Sequence, residues 1–226
     1  MPQNSKIYHN RLIDNILCNW KNDANKKPLL LRGARQVGKS SAVRHLSQHF
    51  DYYLEINFEE NSVITDFFNQ NLSVLEIVEN LSALYNTPIV AGKTLLFFDE
   101  IQSCIPAISS LRFFYEILPD LHIIAAGSLL EFALAELPSF GVGRVRSLFL
   151  YPFSFDEFLA ASGENRLLGI KQNATIDTPL QDILHQKLLK FLQKFLILGG
   201  MPEVIAHYLK NNNLLEAQQI LDDLYL

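Results

Sequence analysis

The chain has 226 residues, 49% of them hydrophobic and 19% charged, with a net charge of −5. That length suffices for one large domain or two small ones, and the apolar share excludes a disordered chain. The acidic balance argues against a general nucleic-acid or anionic-membrane surface, though not against a local basic groove. In chain order, Leu12, Ile13, Ile16, Leu17 and Trp20 fall on one face of a first helix. A polar loop, Asn22 to Lys27, leads to the apolar run Leu29-Leu30-Leu31, which reads as a short buried strand.

That strand runs into Gly33-Ala34-Arg35-Gln36-Val37-Gly38-Lys39-Ser40-Ser41, the G-x-x-x-x-G-K-S spacing of a Walker A loop. Gly33 and Gly38 allow the backbone to fold into a nest of amides that suits anionic oxygens. The positive end of the following helix adds to that field. Lys39 can reach the β- and γ-phosphates, and the Ser40 hydroxyl can ligate Mg²⁺. All nine residues from Gly33 to Ser41 are therefore candidates for holding a nucleotide.

A second strand, Tyr52 to Phe58, alternates apolar and polar residues and ends at Glu59 and Glu60. These two acids are expected to face solvent or a cation. Leu72 to Leu84 predicts a helix with Leu72, Leu75, Val78 and Leu81 as its stripe. Thr94-Leu95-Leu96-Phe97-Phe98-Asp99-Glu100 then reads as a strand buried on both faces and ending in two acids, the Walker B form. Asp99 is the candidate metal ligand beside Ser40. Glu100 is the candidate general base that polarises an attacking water, which favours hydrolysis over transfer to a substrate.

A helix is predicted from Ile105 to Leu118, stopped by Pro119, and a buried strand from Leu121 to Ala126. Ser128, just past that strand, can hold the attacking water or cap the helix Leu129 to Ala135, and the two roles are compatible. After the breaker-rich stretch Pro138 to Gly143, a fifth strand is predicted from Arg144 to Leu150. Ser154 and Glu157 form a capping box at the start of a helix from Phe155 to Ala161. The alternation of strands and helices predicts an α/β fold with a parallel five-stranded sheet flanked by helices.

Residues 162–179 carry few periodic apolar positions and read as a linker or mobile loop. From Leu180 onward the pattern is helical, broken at Gly199-Gly200-Met201-Pro202. Ile183, Leu184, Leu188, Phe191, Leu192 and Phe195 form a stripe, and Lys187, Lys190 and Lys194 read as a solvated face. The expected organisation is a core over residues 1–161, the linker, and a small helical segment over 180–226. The last stripe, Leu214 to Leu226, has no stop signal and reads as truncated, which predicts an exposed apolar face that self-associates or leaves the last turns disordered. The two cysteines, Cys18 and Cys104, have no C-x-x-C spacing, and no run has the length of a signal or membrane segment. A soluble cytoplasmic protein is expected.

Five stretches in order carry a family resemblance: Gly33 to Ser40, Phe98-Asp99-Glu100-Ile101-Gln102, Ala126-Gly127-Ser128, Leu150 to Phe158, and Gly199-Gly200-Met201-Pro202-Glu203. Together they resemble the AAA-type P-loop ATPases of bacteria and archaea that carry a C-terminal domain of unknown function. The Walker stretches specify only the superfamily, whereas Tyr151 to Phe158 and Gly199 to Glu203 are more specific. The resemblance implies an ATPase core followed by a winged-helix-like helical segment, with ATP and Mg²⁺ as cofactors. It implies Lys39 and Ser40 at phosphate and metal, Asp99 at the metal, and Glu100 as base. In P-loop ATPases the segment before the first strand often touches adenine, so Tyr8 to Arg11 is a candidate there. An arginine is expected at the transition-state charge, supplied in cis or by a neighbour, with Arg144 first and Arg112 and Arg146 behind it. Turnover could drive conformational work, or binding itself could act as a slow, STAND-like signalling switch. The partner is an unknown protein or a second copy.

Overall fold

The computed structural model describes residues 8–70, 73–128, 130–135 and 143–225. The predicted loop Pro138 to Gly143 therefore lies almost wholly outside the described residues, as do Leu129 and Leu72. The chain divides into two compact units. One comprises Ile13–Arg35 and Lys39–Leu150; the other comprises the residues up to Leu12, Gln36–Gly38 and the chain from Tyr151 onward. The boundary thus falls at Leu150, earlier than the expected position after residue 161.

The first unit alternates helices and strands. Helix α1 (Leu12–Lys21) leads to β1 (Leu29–Arg32), α2 (Lys39–Ser47) and β2 (Tyr52–Asn57). A short α3 (Thr65–Asn69), which the periodicity did not reveal, precedes α4 (Val74–Tyr85), β3 (Thr94–Asp99), α5 (Ile105–Ile117) and β4 (His122–Ala126). Helix α6 (Leu130–Ala135) and β5 (Arg146–Phe149) complete it. The five strands form one sheet in the order β2-β3-β4-β1-β5, every pairing parallel. Parallel pairing brings like ends of strands together, so the C-terminal ends of β1, β3 and β4 share one edge of the sheet.

The core explains why β3 has no polar alternation: all six of its residues are buried. Phe98 stands at the centre of an aromatic cluster, edge-to-face with Phe58 and Phe68 at 5.7 Å and with Phe114 at 6.0 Å. This packing fixes the strand end that carries Asp99. Two predicted stripes are shifted. Helix α1 buries Ile13, Leu17 and Trp20, while Leu12 is 60% exposed and Ile16 43%. Helix α4 buries Val74, Ile77 and Leu81 and leaves Leu75 56% exposed. Both sets of α4 residues are apolar at helical spacing, and only the neighbouring elements decide which is covered.

From Tyr151 the described residues of the second unit form five helices joined by irregular turns: α7 (Phe155–Ala161), α8 (Asn165–Asn173), α9 (Asp182–Leu198), α10 (Pro202–Asn211) and α11 (Leu214–Tyr225). Half of the expected linker is therefore a helix, α8. Ser154 caps α7 and Glu157 returns to the Ser154 amide, the predicted capping box. Phe158, Leu198, Val204, Ile205 and Ala217 form the core of this unit, with Leu214, Ile220, Leu221 and Leu224 packed against it. The α11 stripe expected to lack cover is thus covered largely by this unit's own core residues, leaving Leu215 73% exposed.

Gly200 is held by a close backbone approach. Its carbonyl accepts from the Phe153 amide at 2.7 Å, and a Cβ there would sit 2.5 Å from the Phe153 carbonyl oxygen and 2.9 Å from Pro152 Cβ. Backbone cannot step aside as a flexible side-chain tip can. Gly200→Ala is expected to destabilise this unit by about 1–3 kcal/mol, the usual cost of overpacking, read as a lower denaturation midpoint. An unchanged midpoint would mean that the two segments separate without cost.

Candidate phosphate-binding site

The loop between β1 and α2 has the backbone of an anion nest. Gly33 lies at φ 147° and Gly38 at φ 95°, a region that disfavours side chains. Between them Gln36 adopts φ 63°, uncommon for a residue with a Cβ and a form of local strain associated with ligand sites. Helix α2 starts at Lys39 directly after this turn, so its unpaired first amides open toward the loop.

Lys39 is only 6% exposed. Its ammonium curls back and donates to the carbonyls of Gly33, at 3.0 Å, and Ala34, at 2.8 Å. Burial lowers its pKa, opposed by the nearby charges of Glu100 and Asp99. The Ser40 hydroxyl donates to Asp99 Oδ2 at 2.7 Å. Asp99 is 5% exposed, and its carboxyl is pushed up by burial, with the Ser40 hydroxyl acting the other way. The predicted Walker A and Walker B residues therefore meet at one edge of the sheet. A hydroxyl and a carboxylate in contact form a hard-oxygen donor set that suits Mg²⁺, which completes its shell with water and phosphate oxygens.

Glu100 follows at φ 49°, again left-handed for a residue with a side chain. Its amide donates to Asp99 Oδ1 at 3.1 Å. Its Oε2 accepts from Gln102 Nε2 at 2.8 Å, and the same amide nitrogen reaches Glu59 at 3.3 Å. Two carboxylates on one side fix which end of the Gln102 amide is the donor. The other end, Oε1, is buried with no hydrogen-bond partner among the described residues, and a Cβ on Gly127 would lie 2.1 Å from it. Gln102 is the residue that sequence reasoning passed over. Its signal was present, since it stands two positions after Glu100 in one of the family stretches and faces the glycine of another.

Ser128 emerges two residues beyond β4, at the same sheet edge as the loop and immediately before α6. Arg144 is not brought there. It precedes β5 and pairs with Glu116 near the end of α5, both about half exposed. Arg146 aligns with Leu29, the first residue of β1, whereas the loop follows Arg32, the last. In a parallel sheet this places both arginines at the opposite edge from Lys39. Arg112 is exposed midway along α5, with its guanidinium 4.4 Å from the Phe113 ring centre. Of the segment Tyr8 to Arg11, Arg11 is buried and its guanidinium engages protein acceptors, so it is no longer a candidate reader of adenine.

The family model described as "AAA domain" matches residues 25–159, more than half of the chain. The chain belongs to the AAA family. The match covers the loop, the Asp99 strand, β5 and the Ser154 capping box of this AAA chain. A relative in Methanocaldococcus jannaschii, described as an uncharacterized protein, is 28% identical over 179 residues, which cover 77% of this chain and 35% of that protein. The chain therefore spans about a third of that relative's length. Among solved structures, a Walker-type ATPase of Pyrococcus abyssi shares the fold with a TM-score of 0.54 at 18% identity, covering 94% of this chain and 71% of its own. The Orc1 protein of Aeropyrum pernix, solved in complex with DNA, has a TM-score of 0.44 at 12% identity, covering 88% and 69%. Among the described residues no helix is long and apolar enough to cross a membrane.

Proposed function

We propose that this AAA chain binds ATP with Mg²⁺ and hydrolyses it, using the turnover to drive a conformational change. The observation that carries the reading is the contact of Ser40 with Asp99 directly beside the buried ammonium of Lys39. Ser40 and Asp99 would hold Mg²⁺, which supplies charge neutralisation at the phosphate oxygens when bound. Lys39 exchanges the Gly33 and Ala34 carbonyls for phosphate oxygens, and the loop amides and the start of α2 take the remainder of the charge. Glu100 accepts the proton of the attacking water, with Gln102 setting the direction of its carboxylate, and Ser128 orients that water from the end of β4. The arginine for the transition state is assigned to a neighbouring copy or a protein partner, since Arg144 and Arg146 lie at the far sheet edge and Arg112 lies against Phe113 midway along α5.

The test is release of phosphate from ATP by the purified chain, with Mg²⁺ and with EDTA. Steady release only with Mg²⁺ is the expected result. Tight Mg-ATP binding without any release, alone or at high protein concentration, would overturn the hydrolase reading in favour of a nucleotide-dependent switch.

A further inference from the structure

Arg11 is 6% exposed and lies in the same compact unit as Gln36–Gly38 and the chain from Tyr151. Its guanidinium reaches three residues on two segments at once. Nε donates to Glu157 Oε1 at 2.9 Å, Nη2 to the Tyr151 carbonyl at 2.8 Å, and Nη1 to the Val37 carbonyl at 3.2 Å. The plane also stacks 4.0 Å from the centre of the Phe153 ring. Glu157 is itself fully engaged: besides Arg11 it accepts from the amides of Leu12 and Ser154, both at 2.8 Å. Burial works against the Glu157 charge, but the Ser154 and Leu12 amides and Arg11 together hold its pKa below the ordinary glutamate value.

The contact with Val37 bears on phosphate binding for a geometric reason. The carbonyl of Val37 and the amide of Gly38 belong to one planar peptide unit, and in a trans peptide they point in opposite directions. A donor that fixes the carbonyl therefore fixes the amide. Gly38, at φ 95°, has none of the restraint a side chain would impose, so the orientation of this plane rests on what holds it. Pro202, the first residue of α10, and Arg11 Nη1 both approach the Gly38 Cα, 3.7 and 3.8 Å from where a Cβ would stand.

We propose that Arg11 is a positioning residue for the phosphate loop: it holds the Val37 carbonyl so that the Gly38 amide faces the phosphates, and it anchors that peptide to the Tyr151–Glu157 segment. The proposal rests on the nucleotide-binding reading above, and one of its two tests is independent of it. Arg11→Lys keeps the charge, but an ammonium is a single point and cannot span three acceptors as a planar fork does. Without nucleotide, relaxation of the Gly38 amide should change from an order parameter of about 0.85 to below about 0.6 in Arg11→Lys, while β1 stays rigid. With nucleotide, the Kd and KM for Mg-ATP should rise about tenfold or more while kcat at saturation stays within about threefold, the pattern of lost uniform binding. Should Arg11→Lys fold poorly, the double variant Arg11→Met/Glu157→Gln removes both charges together and should give the same two results. A rigid Gly38 amide with wild-type Kd in a folded variant overturns the proposal. Failure of the unaltered protein to bind Mg-ATP would instead overturn the nucleotide reading, and the amide relaxation would still decide the role of Arg11.

Discussion

Lys39→Ala should weaken Mg-ATP binding by roughly 10²–10³-fold, as expected when one partner of a desolvated charge pair is removed. The ammonium is buried at the turn between β1 and α2, against the carbonyls of Gly33 and Ala34, and it is the side-chain cation that the loop itself aims inward. Water cannot replace it well, because the site that holds it is largely closed to solvent. The fold should survive. What Lys39 gives up in the nucleotide-free protein is two hydrogen bonds to loop carbonyls, each with a small net contribution. Titration calorimetry beside a thermal unfolding curve separates the two effects. Equal affinity in both proteins would remove the phosphate-loop reading altogether.

Glu100→Gln should bind Mg-ATP as the unaltered protein does and lose hydrolysis by roughly 10²–10⁴-fold, the usual contribution of a general base. The substitution replaces one oxygen by an NH₂ group of the same shape. The remaining carbonyl oxygen can still accept from Gln102, so the left-handed turn at this position is retained. The change thus removes proton acceptance and little else. A fall in kcat with KM unchanged marks an interaction made only in the transition state. Turnover at the original rate would assign Glu100 a structural part and require another base.

Much of the first unit could be read from residue order because its central strands, β1, β3 and β4, are buried on both faces. Such strands appear as unbroken apolar runs, as in Leu29 to Leu31 and Leu95 to Phe98, and the second run ends directly at Asp99. The Ser154–Glu157 box was equally legible, since capping depends on local spacing alone. Helix α8 was not. It buries only Leu167 and so has no stripe to reveal a period. In the candidate site, the Walker residues were visible because backbone geometry dictates their types. Arg11, by contrast, lies 26 residues from Val37 and 146 from Glu157, and no local pattern marks a side chain whose partners are so distant. Arg144 was misplaced for a topological reason: proximity to a strand says nothing about which end of the sheet the residue occupies until the pairing is known.

The Glu157 carboxylate serves a helix start, a guanidinium and the amide of Leu12 through just two oxygen atoms. This has a consequence for how the sequence can drift. Aspartate at the position is a methylene too short to return to the Ser154 amide and still meet Arg11, and glutamine gives up an acceptor where donors converge. Neither partner can lose its charge first without stranding the other away from water. Positions 11 and 157 should therefore be inherited as a linked pair, so that a saturation library scored for folding would accept few single changes beyond the charge-keeping Arg11→Lys and would recover uncharged residues mainly where both codons change together.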